Sequence, residues 1–190
     1  NPHELVHVTT AGNRGNANSG SSNYPWFRQV AARSDLFSDE MLVRHDVYKV
    51  GIRGRVEPLT GQKVTTNYYR LLGVPALIGR TFVATDRPEA GGSPVAVISY
   101  DLWQRRFAGS PDAIGASITV DREPYTIVGV TPRAFRGLLV GWTMDVTTPL
   151  DTSKFDDERS WWTMPLIARL RPGVEAQRVS EQLNPLLQRI

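Results

Sequence analysis

Hydrophobic residues along the chain follow two different periods, and each period predicts a different kind of element. Alternation every second residue and short β-branched runs predict strands at residues 5–10, 41–56, 62–66, 95–98 and 116–130. Spacing of about three to four residues predicts helices that start at Pro25, cover Asn67 to Leu72, follow Ser99, and run from Val174 toward the C-terminus. The helical signals near Pro25 and Val174 lie toward the two ends of the chain, with tight β alternation between them.

The helix after Ser99 has the most complete set of local signals. Ser99 is a favourable N-cap, because its hydroxyl can accept a hydrogen bond from the first turn of the helix. Asp101 lies in the first turn, and Arg105 and Arg106 lie in the last turn, so each charge matches the helix dipole. Gly109 can end the helix in a left-handed conformation.

Trp103 and Phe107 are the predicted core anchors of this helix. Ile98 and Trp103 occupy the two positions where a hydrophobic pair fixes the angle at which the chain enters a helix. Trp103 and Phe107 are four residues apart and therefore share one helix face. An aromatic and basic patch for nucleic acid would need these rings in solvent, and we interpret them as core packing instead.

Two further features of the pattern predict local geometry. The strands within residues 116–130 are separated by a predicted four-residue turn, Asp121 to Pro124. The last helix has a stripe of apolar residues formed by Val174, Val179, Leu183, Leu186 and Ile190. Pro185 interrupts that stripe and lacks an amide N–H, so we expect it to kink or break the helix.

The string HELVH at residues 3–7 matches the H-E-x-x-H signature of zinc metalloproteases. That signature works on a helix, where His3 and His7 would share a face and Glu4 would activate a zinc-bound water. Here four of the five residues from Val6 to Thr10 are β-branched, which favours a strand. On a strand the two histidines would lie roughly 13 Å apart, too far to share one zinc ion. We therefore predict a strand and no metal site.

The composition narrows the class of protein. The 190 residues include 22 Lys and Arg against 19 Asp and Glu. This small positive excess is spread along the chain and does not indicate a nucleic-acid-binding surface. No apolar run approaches the roughly 18 residues of a membrane-spanning helix, and no signal-peptide pattern occurs. The absence of cysteine suits any compartment. Because the sequence begins with Asn and stops within a helical pattern, we expect a piece of a longer protein.

Three other clusters carry weaker signals. The run from Asp156 to Arg159 is interpreted as a solvated acidic loop, because nothing supplies the six or so oxygens that calcium takes. Trp142, Trp161 and Trp162 are interpreted as core or junction packing rather than as a partner surface. Residues 11–23 are rich in Gly, Asn and Ser, which predicts a loop, and they match no phosphate-binding motif.

Two long segments carry a resemblance to a known family. They read VTTNYYRLLGVPALIGRTF and SPVAVISYDLWQRRFAGSPDAIGASITVDREPYTIVGVTPRAF, and together they span residues 64–135. The Asn-Tyr-Tyr helix that leads into Leu-Gly-Val, the Gly-Arg-Thr-Phe turn at residues 79–82, the Ser99 helix and the strand at residues 125–130 occur in the family's order and spacing. The segments resemble the MacB-like periplasmic core domain of ABC transporter permeases, and both chain ends resemble it more weakly.

The resemblance implies an α+β fold with two lobes. A porter-type α/β lobe would be formed by both chain ends, residues 1–66 and 151–190. A central inserted β-rich lobe, sabre-like in the family, would comprise residues 67–150. At the position of HELVH the family has a strand and no metal. The domain would lie on the extracytoplasmic, periplasmic side, between the first and second membrane helices of a permease in the cytoplasmic membrane.

The resemblance also implies a noncatalytic role, in which ATP-driven motion is coupled to export or extraction of a substrate at the outer face of the cytoplasmic membrane. It assigns no catalytic, cofactor-binding or metal-binding residue. The chain has no P-loop, so ATP would be used by an ATPase domain or subunit outside this fragment. The expected partners are the permease's own transmembrane helices, the ABC ATPase, a second permease copy and a periplasmic adaptor, with no nucleic acid.

Two alternatives stay open from the sequence. One is a free-standing β-rich extracytoplasmic ligand-binding module, and the other is an H-E-x-x-H zinc hydrolase. Membrane helices encoded on both sides of the fragment would favour the transporter over both. The pattern of residues does not encode the transported substrate.

Overall fold

The computed structural model describes residues 4–8, 24–138, 141–155 and 165–187. Its strands and helices are, in chain order, β1 (Leu5–Val8), α1 (Tyr24–Ala31), β2 (Phe37–Ile52), β3 (Arg55–Val64), α2 (Tyr68–Leu72), β4 (Ile78–Gly79), β5 (Val95–Ile98), α3 (Tyr100–Phe107), β6 (Ser117–Val120), β7 (Glu123–Val130), β8 (Val146–Pro149), β9 (Leu166–Leu170) and α4 (Ala176–Leu187). The fold is mixed α+β and rich in strands, which confirms the expected class.

The chain divides into two compact units. Unit 1 comprises Asn1–Val43 and Thr152–Ile190, and unit 2 comprises Arg44–Asp151. In the sequence prediction the chain passes from the first lobe to the second after residue 66 and returns after residue 150. The structure has the first crossing earlier, within β2, because the rest of β2 together with β3 supplies core side chains to unit 2. These side chains are Tyr48, Val50, Ile52 and Leu59.

Unit 1 contains an antiparallel arrangement of β1, β9 and the first part of β2. β9 pairs with β1 through Leu166–Arg169 and with β2 through Leu166–Leu170. Alternate residues of β9 are buried, as expected for a strand with one face on a core. Val179 and Leu183 of α4 are buried as predicted, since they lie four residues apart on one helix face.

The last helix does not break at Pro185, and the predicted kink stays a prediction. α4 extends to Leu187, so the helix continues past the proline instead of breaking there. The missing N–H of Pro185 removes one hydrogen bond, and near the C-terminus of a helix that loss affects little of the remaining ladder. Val174, predicted as part of the helical stripe, precedes the first helical residue.

Unit 2 has a mixed sheet in which parallel and antiparallel pairs alternate. β8 is parallel to β3 and antiparallel to β5, and β5 is parallel to β7. β7 is also antiparallel to β4 and to β6, and β6 reaches β2 at Val50 and Gly51. Helix α3 covers this sheet with three buried residues, Leu102, Trp103 and Phe107. The core of unit 2 therefore includes the predicted anchors Trp103 and Phe107.

Helix α3 begins as its sequence predicts and ends one residue earlier. The Ser99 hydroxyl accepts a hydrogen bond from the Leu102 N–H at 3.0 Å, which confirms the N-cap. The C-cap is Ala108, with φ of 51°, rather than Gly109. Among the other predicted helices, α1 begins at Tyr24, just before Pro25, and α2 is closed by Gly73 with φ of 68°.

The turn between β6 and β7 is tighter than predicted. It consists of Asp121 and Arg122, both in the left-handed region with φ of 50° and 76°, while Glu123 and Pro124 already belong to β7. The Asp121 carboxylate accepts a hydrogen bond from the Lys49 N–H at 2.9 Å. This bond fixes the short turn against β2, and Asp is among the residues that tolerate left-handed backbone.

Ser99→Ala should lower the free energy of unfolding by about 1–2 kcal/mol, because the Leu102 N–H loses its side-chain acceptor and the Asp145 carboxylate loses the Ser99 hydroxyl as a donor. Urea denaturation of the two proteins measures this difference. Ser93→Ala is the matched control, since Ser93 is exposed and precedes β5. Equal stability of Ser99→Ala and the parent protein would show that the cap contributes nothing.

Candidate interaction cleft

A cleft of about 480 Å³ opens on the surface of unit 2. The cleft is shallow and open to solvent. Helix α3 supplies Asp101 and Arg105, which are one turn apart on the same helix face. β3 and the segment before β8 supply the rest of the lining, which is Thr60, Gly141, Trp142, Thr143 and Asp145.

Asp145 is the anchored carboxylate of the cleft. Its Oδ1 accepts a hydrogen bond from the Arg105 guanidinium at 3.0 Å and another from the Ser99 hydroxyl at 3.3 Å. Its backbone N–H donates to the Thr60 carbonyl at 2.9 Å, and its own carbonyl accepts from the Ser99 N–H at 2.9 Å. Ser99, which caps α3, therefore also holds Asp145 at the floor of the cleft. The buried Asp145 carboxylate in turn holds Arg105 in place.

The second carboxylate, Asp101, pairs with Arg136 from the segment that follows β7. The guanidinium of Arg133, in the same segment, lies over the Tyr100 ring at 5.9 Å from its centroid. These two contacts hold the segment against the first turn of α3. The side chains of Arg105 and Arg136 keep 51% and 53% of their surface exposed, so their remaining N–H groups face solvent.

Trp142 is 52% exposed at the edge of the cleft. The prediction that this residue packs in the core or at a junction is therefore wrong. Its neighbour Gly141 has φ of 86°, and Thr143 is tied to β3 by a hydrogen bond from the Thr60 hydroxyl to its carbonyl, so the backbone is held while the indole points outward. Trp161 and Trp162 lie outside the described residues.

Arginines continue past the cleft along the other side of α3. The Arg106 Nε donates to the Glu57 Oε1 at 2.6 Å, and a second bond joins the same two groups. The hydrogen bonds from Arg106 hold the pKa of Glu57 below its usual value, and the nearby charges of Arg55 and Arg105 act in the same direction. The guanidinium of Arg53 lies 4.9 Å from the centroid of the Phe107 ring.

Within the HELVH string the structure describes residues 4–7, of which residues 5–7 are in a strand. Leu5–Val8 is strand β1, as predicted, and His7 on it is exposed. The Glu4 carboxylate accepts a hydrogen bond from the Arg169 guanidinium at 3.2 Å. His3 and the acidic run at residues 156–159 lie outside the described residues. Within the described ranges, no three His, Cys, Asp or Glu side chains come together in a group that could hold a metal ion.

Sequence reasoning did not find the cleft as a site. It placed Asp101 and Arg105 on one helix but treated them as partners of the helix dipole. Their spacing of four residues could also have indicated an ion pair with each other. In the structure Asp101 pairs instead with Arg136, and Arg105 pairs with Asp145. A single sequence carries no signal for pairs so far apart in the chain.

Comparison with known proteins identifies the family of this chain. The sequence model described as MacB-like periplasmic core domain matches residues 3–186. The chain belongs to the MacB-like periplasmic core domain family. This confirms the resemblance that the segments at residues 64–135 carried.

Two curated relatives of this MacB-like domain are export proteins. The chain is 27% identical over 124 residues to the probable export ATP-binding/permease protein MacB of Pseudomonas entomophila strain L48. It is 23% identical over 124 residues to the probable syringafactin export ATP-binding/permease protein SyfD of Pseudomonas syringae pv. tomato strain DC3000. Each alignment covers 65% of this chain and 18% of the relative, so the matched region is a small part of each relative.

Solved structures share the fold of the MacB-like domain at low identity. The periplasmic region of MacB from Actinobacillus actinomycetemcomitans aligns with a TM-score of 0.71 and 11% identity, covering 97% of this chain and 82% of that one. The extracellular domain of the noncanonic ABC-type transporter YknZ from Gram-positive bacteria aligns with a TM-score of 0.63 and 12% identity, covering 94% and 86%. At such identities the likeness shows the fold alone. In the part of the chain that the structure describes, no helix combines the length and apolar character needed to span a membrane.

Proposed function

We propose that this chain is the extracytoplasmic domain of an ABC transporter permease and that it has no catalytic activity of its own. The observation that carries the proposal is the family match over residues 3–186. The fold similarity over 97% of the chain to a MacB periplasmic region supports it. Both curated relatives are export ATP-binding/permease proteins, which supports a role in export.

In this proposal the domain couples ATP-driven motion to export or extraction of a substrate at the outer face of the cytoplasmic membrane. ATP is used by an ATPase domain or subunit outside the fragment. The partners are the permease's transmembrane helices and that ATPase, with a second permease copy and a periplasmic adaptor as further candidates. Unit 1 corresponds to the porter-type lobe because both chain ends form it, and unit 2 to the sabre-like lobe because it is inserted and β-rich.

Strand β2 contributes residues to both units. It pairs with β9 in unit 1 and with β6 in unit 2, so the same strand is hydrogen-bonded in both units.

Cysteine labelling in the full-length permease tests the location. Because this chain contains no cysteine, a single Val56→Cys reporter can be added, with any cysteines elsewhere in the protein replaced. Val56 is 68% exposed, and we expect a membrane-impermeant maleimide to label it on intact spheroplasts. Val64→Cys is the matched control, since Val64 is fully buried in the same strand and should react only after denaturation. Labelling of Val56→Cys that required lysis would contradict the proposal.

The purified chain should contain well under one zinc ion per molecule and should hydrolyse neither ATP nor peptides nor esters. His7 lies on β1, and two histidines four residues apart on a strand would be too widely spaced to share a metal. Elemental analysis and turnover assays measure this, and a chelator should leave the melting temperature unchanged. Stoichiometric zinc that is lost in His7→Ala, together with turnover that survives repurification, would favour the hydrolase instead.

A further inference from the structure

Six arginines and three carboxylates surround helix α3, and we call this surface the arginine strip. Its members are Arg53, Arg55, Arg105, Arg106, Arg133, Arg136, Glu57, Asp101 and Asp145. The strip has a net charge of +3, six positive groups against three negative ones, which equals the formal net charge of the whole chain. The strip therefore carries more positive than negative charge, and such a surface attracts an oppositely charged partner.

The guanidinium groups of the strip are fixed before any partner arrives. Carboxylates hold Arg105, Arg106 and Arg136. Aromatic rings lie beneath two others, Arg53 and Arg133. Because these side chains are already ordered, binding costs less conformational entropy than it would with free arginines. A guanidinium with N–H groups left over after an internal ion pair can still bind a carboxylate through two parallel hydrogen bonds.

The cleft adds an apolar contact to this charged surface. Trp142, half exposed, lines the cleft together with Arg105. Trp and Arg are the residue types most often found to dominate the energy of protein–protein interfaces. Because the cleft is open to solvent, a side chain of a partner can lie against Trp142. The surface therefore combines oriented cations with a place for an apolar group.

We propose that the arginine strip and the cleft form a docking surface for an acidic segment of a partner protein. Carboxylates of that segment pair with the guanidinium groups of Arg105, Arg133 and Arg136, and an aromatic or aliphatic side chain enters the cleft against Trp142. The inference stands on the geometry of unit 2 alone, so its failure would leave the proposed transport function untouched.

The chemistry of the strip favours a protein segment over an anionic membrane surface. Its cations are all arginines, and protein interfaces are enriched in Arg and depleted in Lys. A membrane surface attracts Lys and Arg alike through its diffuse potential. Asp101 interrupts the strip at the surface and would repel a continuous sheet of phosphates, whereas a peptide can place its carboxylates to either side of it.

The test uses the 190-residue chain and the synthetic peptide acetyl-Asp-Glu-Phe-Glu-Asp-amide. Binding is followed by NMR through the indole N–H resonance of Trp142, which is assigned by its loss in Trp142→Ser. We expect this resonance to shift on titration, and the affinity to fall as salt is raised. The same peptide with Lys in place of its acidic residues is the charge control. Vesicles with and without phosphatidylglycerol test the membrane alternative.

Trp142→Ser should weaken peptide binding about tenfold or more, and Arg136→Gln about threefold or more. Both residues are more than half exposed, so both variants should keep the spectrum of the folded protein. Arg87→Gln is the matched control, because it removes an equal charge from an exposed arginine outside the strip and should change affinity by less than about twofold. Because Trp142→Ser lacks the indole resonance, its affinity relative to the parent protein is measured from backbone resonances of α3.

Three results would overturn the proposal. The first is that the acidic peptide leaves the Trp142 resonance unmoved at millimolar concentration. The second is binding that is the same in Trp142→Ser and Arg136→Gln as in the parent protein, or equal for the acidic and lysine peptides. The third is a shift caused by phosphatidylglycerol vesicles and not by the peptide, which would assign the surface to membrane lipid.

Discussion

Trp103→Ala should lower the free energy of unfolding by about 3–5 kcal/mol. The side chain is 9% exposed and belongs to the core of unit 2, between α3 and the sheet. Its indole N–H donates to the Ser110 carbonyl at 2.8 Å, and its ring packs edge-on against Tyr100 at 5.7 Å. Truncation therefore leaves a cavity and also leaves the Ser110 carbonyl without this donor. Urea or thermal denaturation measures the loss.

Trp142→Ala is the matched control for this substitution. It removes the same side chain from a position that is 52% exposed, so we expect a change within about 1 kcal/mol. If Trp103→Ala unfolded at the same urea concentration as Trp142→Ala, the face of α3 that packs on the sheet would be assigned wrongly.

Gly129→Ala should lower the free energy of unfolding by about 3 kcal/mol or more. Gly129 of β7 lies opposite Gly79 of β4. A Cβ added to Gly129 would lie 2.0 Å from the carbonyl oxygen of Arg80 and 2.9 Å from its carbonyl carbon. Both atoms belong to the backbone, so no side-chain rotation can relieve the clash. The strands must separate, and the hydrogen bond from the Arg80 N–H to the Val128 carbonyl, 2.8 Å, is lost or lengthened.

Gly51→Ala makes the same chemical change on β2 and serves as its control. There the added Cβ would meet the Thr119 hydroxyl at 2.3 Å, which belongs to an exposed side chain that can rotate away. We expect a loss of about 1 kcal/mol or less. Equal losses in the two variants would show that the approach of β4 to β7 is not limited by backbone contact.

Features that depend on neighbouring residues could be predicted from the sequence. The cap at Ser99, the core positions of Trp103 and Phe107, and the closure of α2 at Gly73 each rest on residues within one or two helical turns, and the structure confirms them. The β1 strand also follows from local β-branching. Local chemistry was sufficient wherever the determining contacts are close in the chain.

Features that depend on distant residues could not be predicted in the same way. β3 and β8 are parallel neighbours separated by most of unit 2, and a parallel pair requires a long connection that the pattern does not define. The first unit boundary falls inside a strand, so no turn or linker marks it. The exposure of Trp142 was missed for a related reason, because composition favours burial of Trp and only the fold places this one at a cleft.

Hydrogen–deuterium exchange of the full-length permease with its ATPase tests the central claim most directly, namely that ATP-driven motion reaches this domain. Peptides from residues 37–52 and 166–170 report on β2 and β9, which pair with each other. The account predicts that trapping the ATP-bound state with a nonhydrolysable analogue changes exchange in these peptides relative to the nucleotide-free protein. Exchange that changes in the ATPase and in the membrane segments, and stays the same throughout this domain, would contradict it.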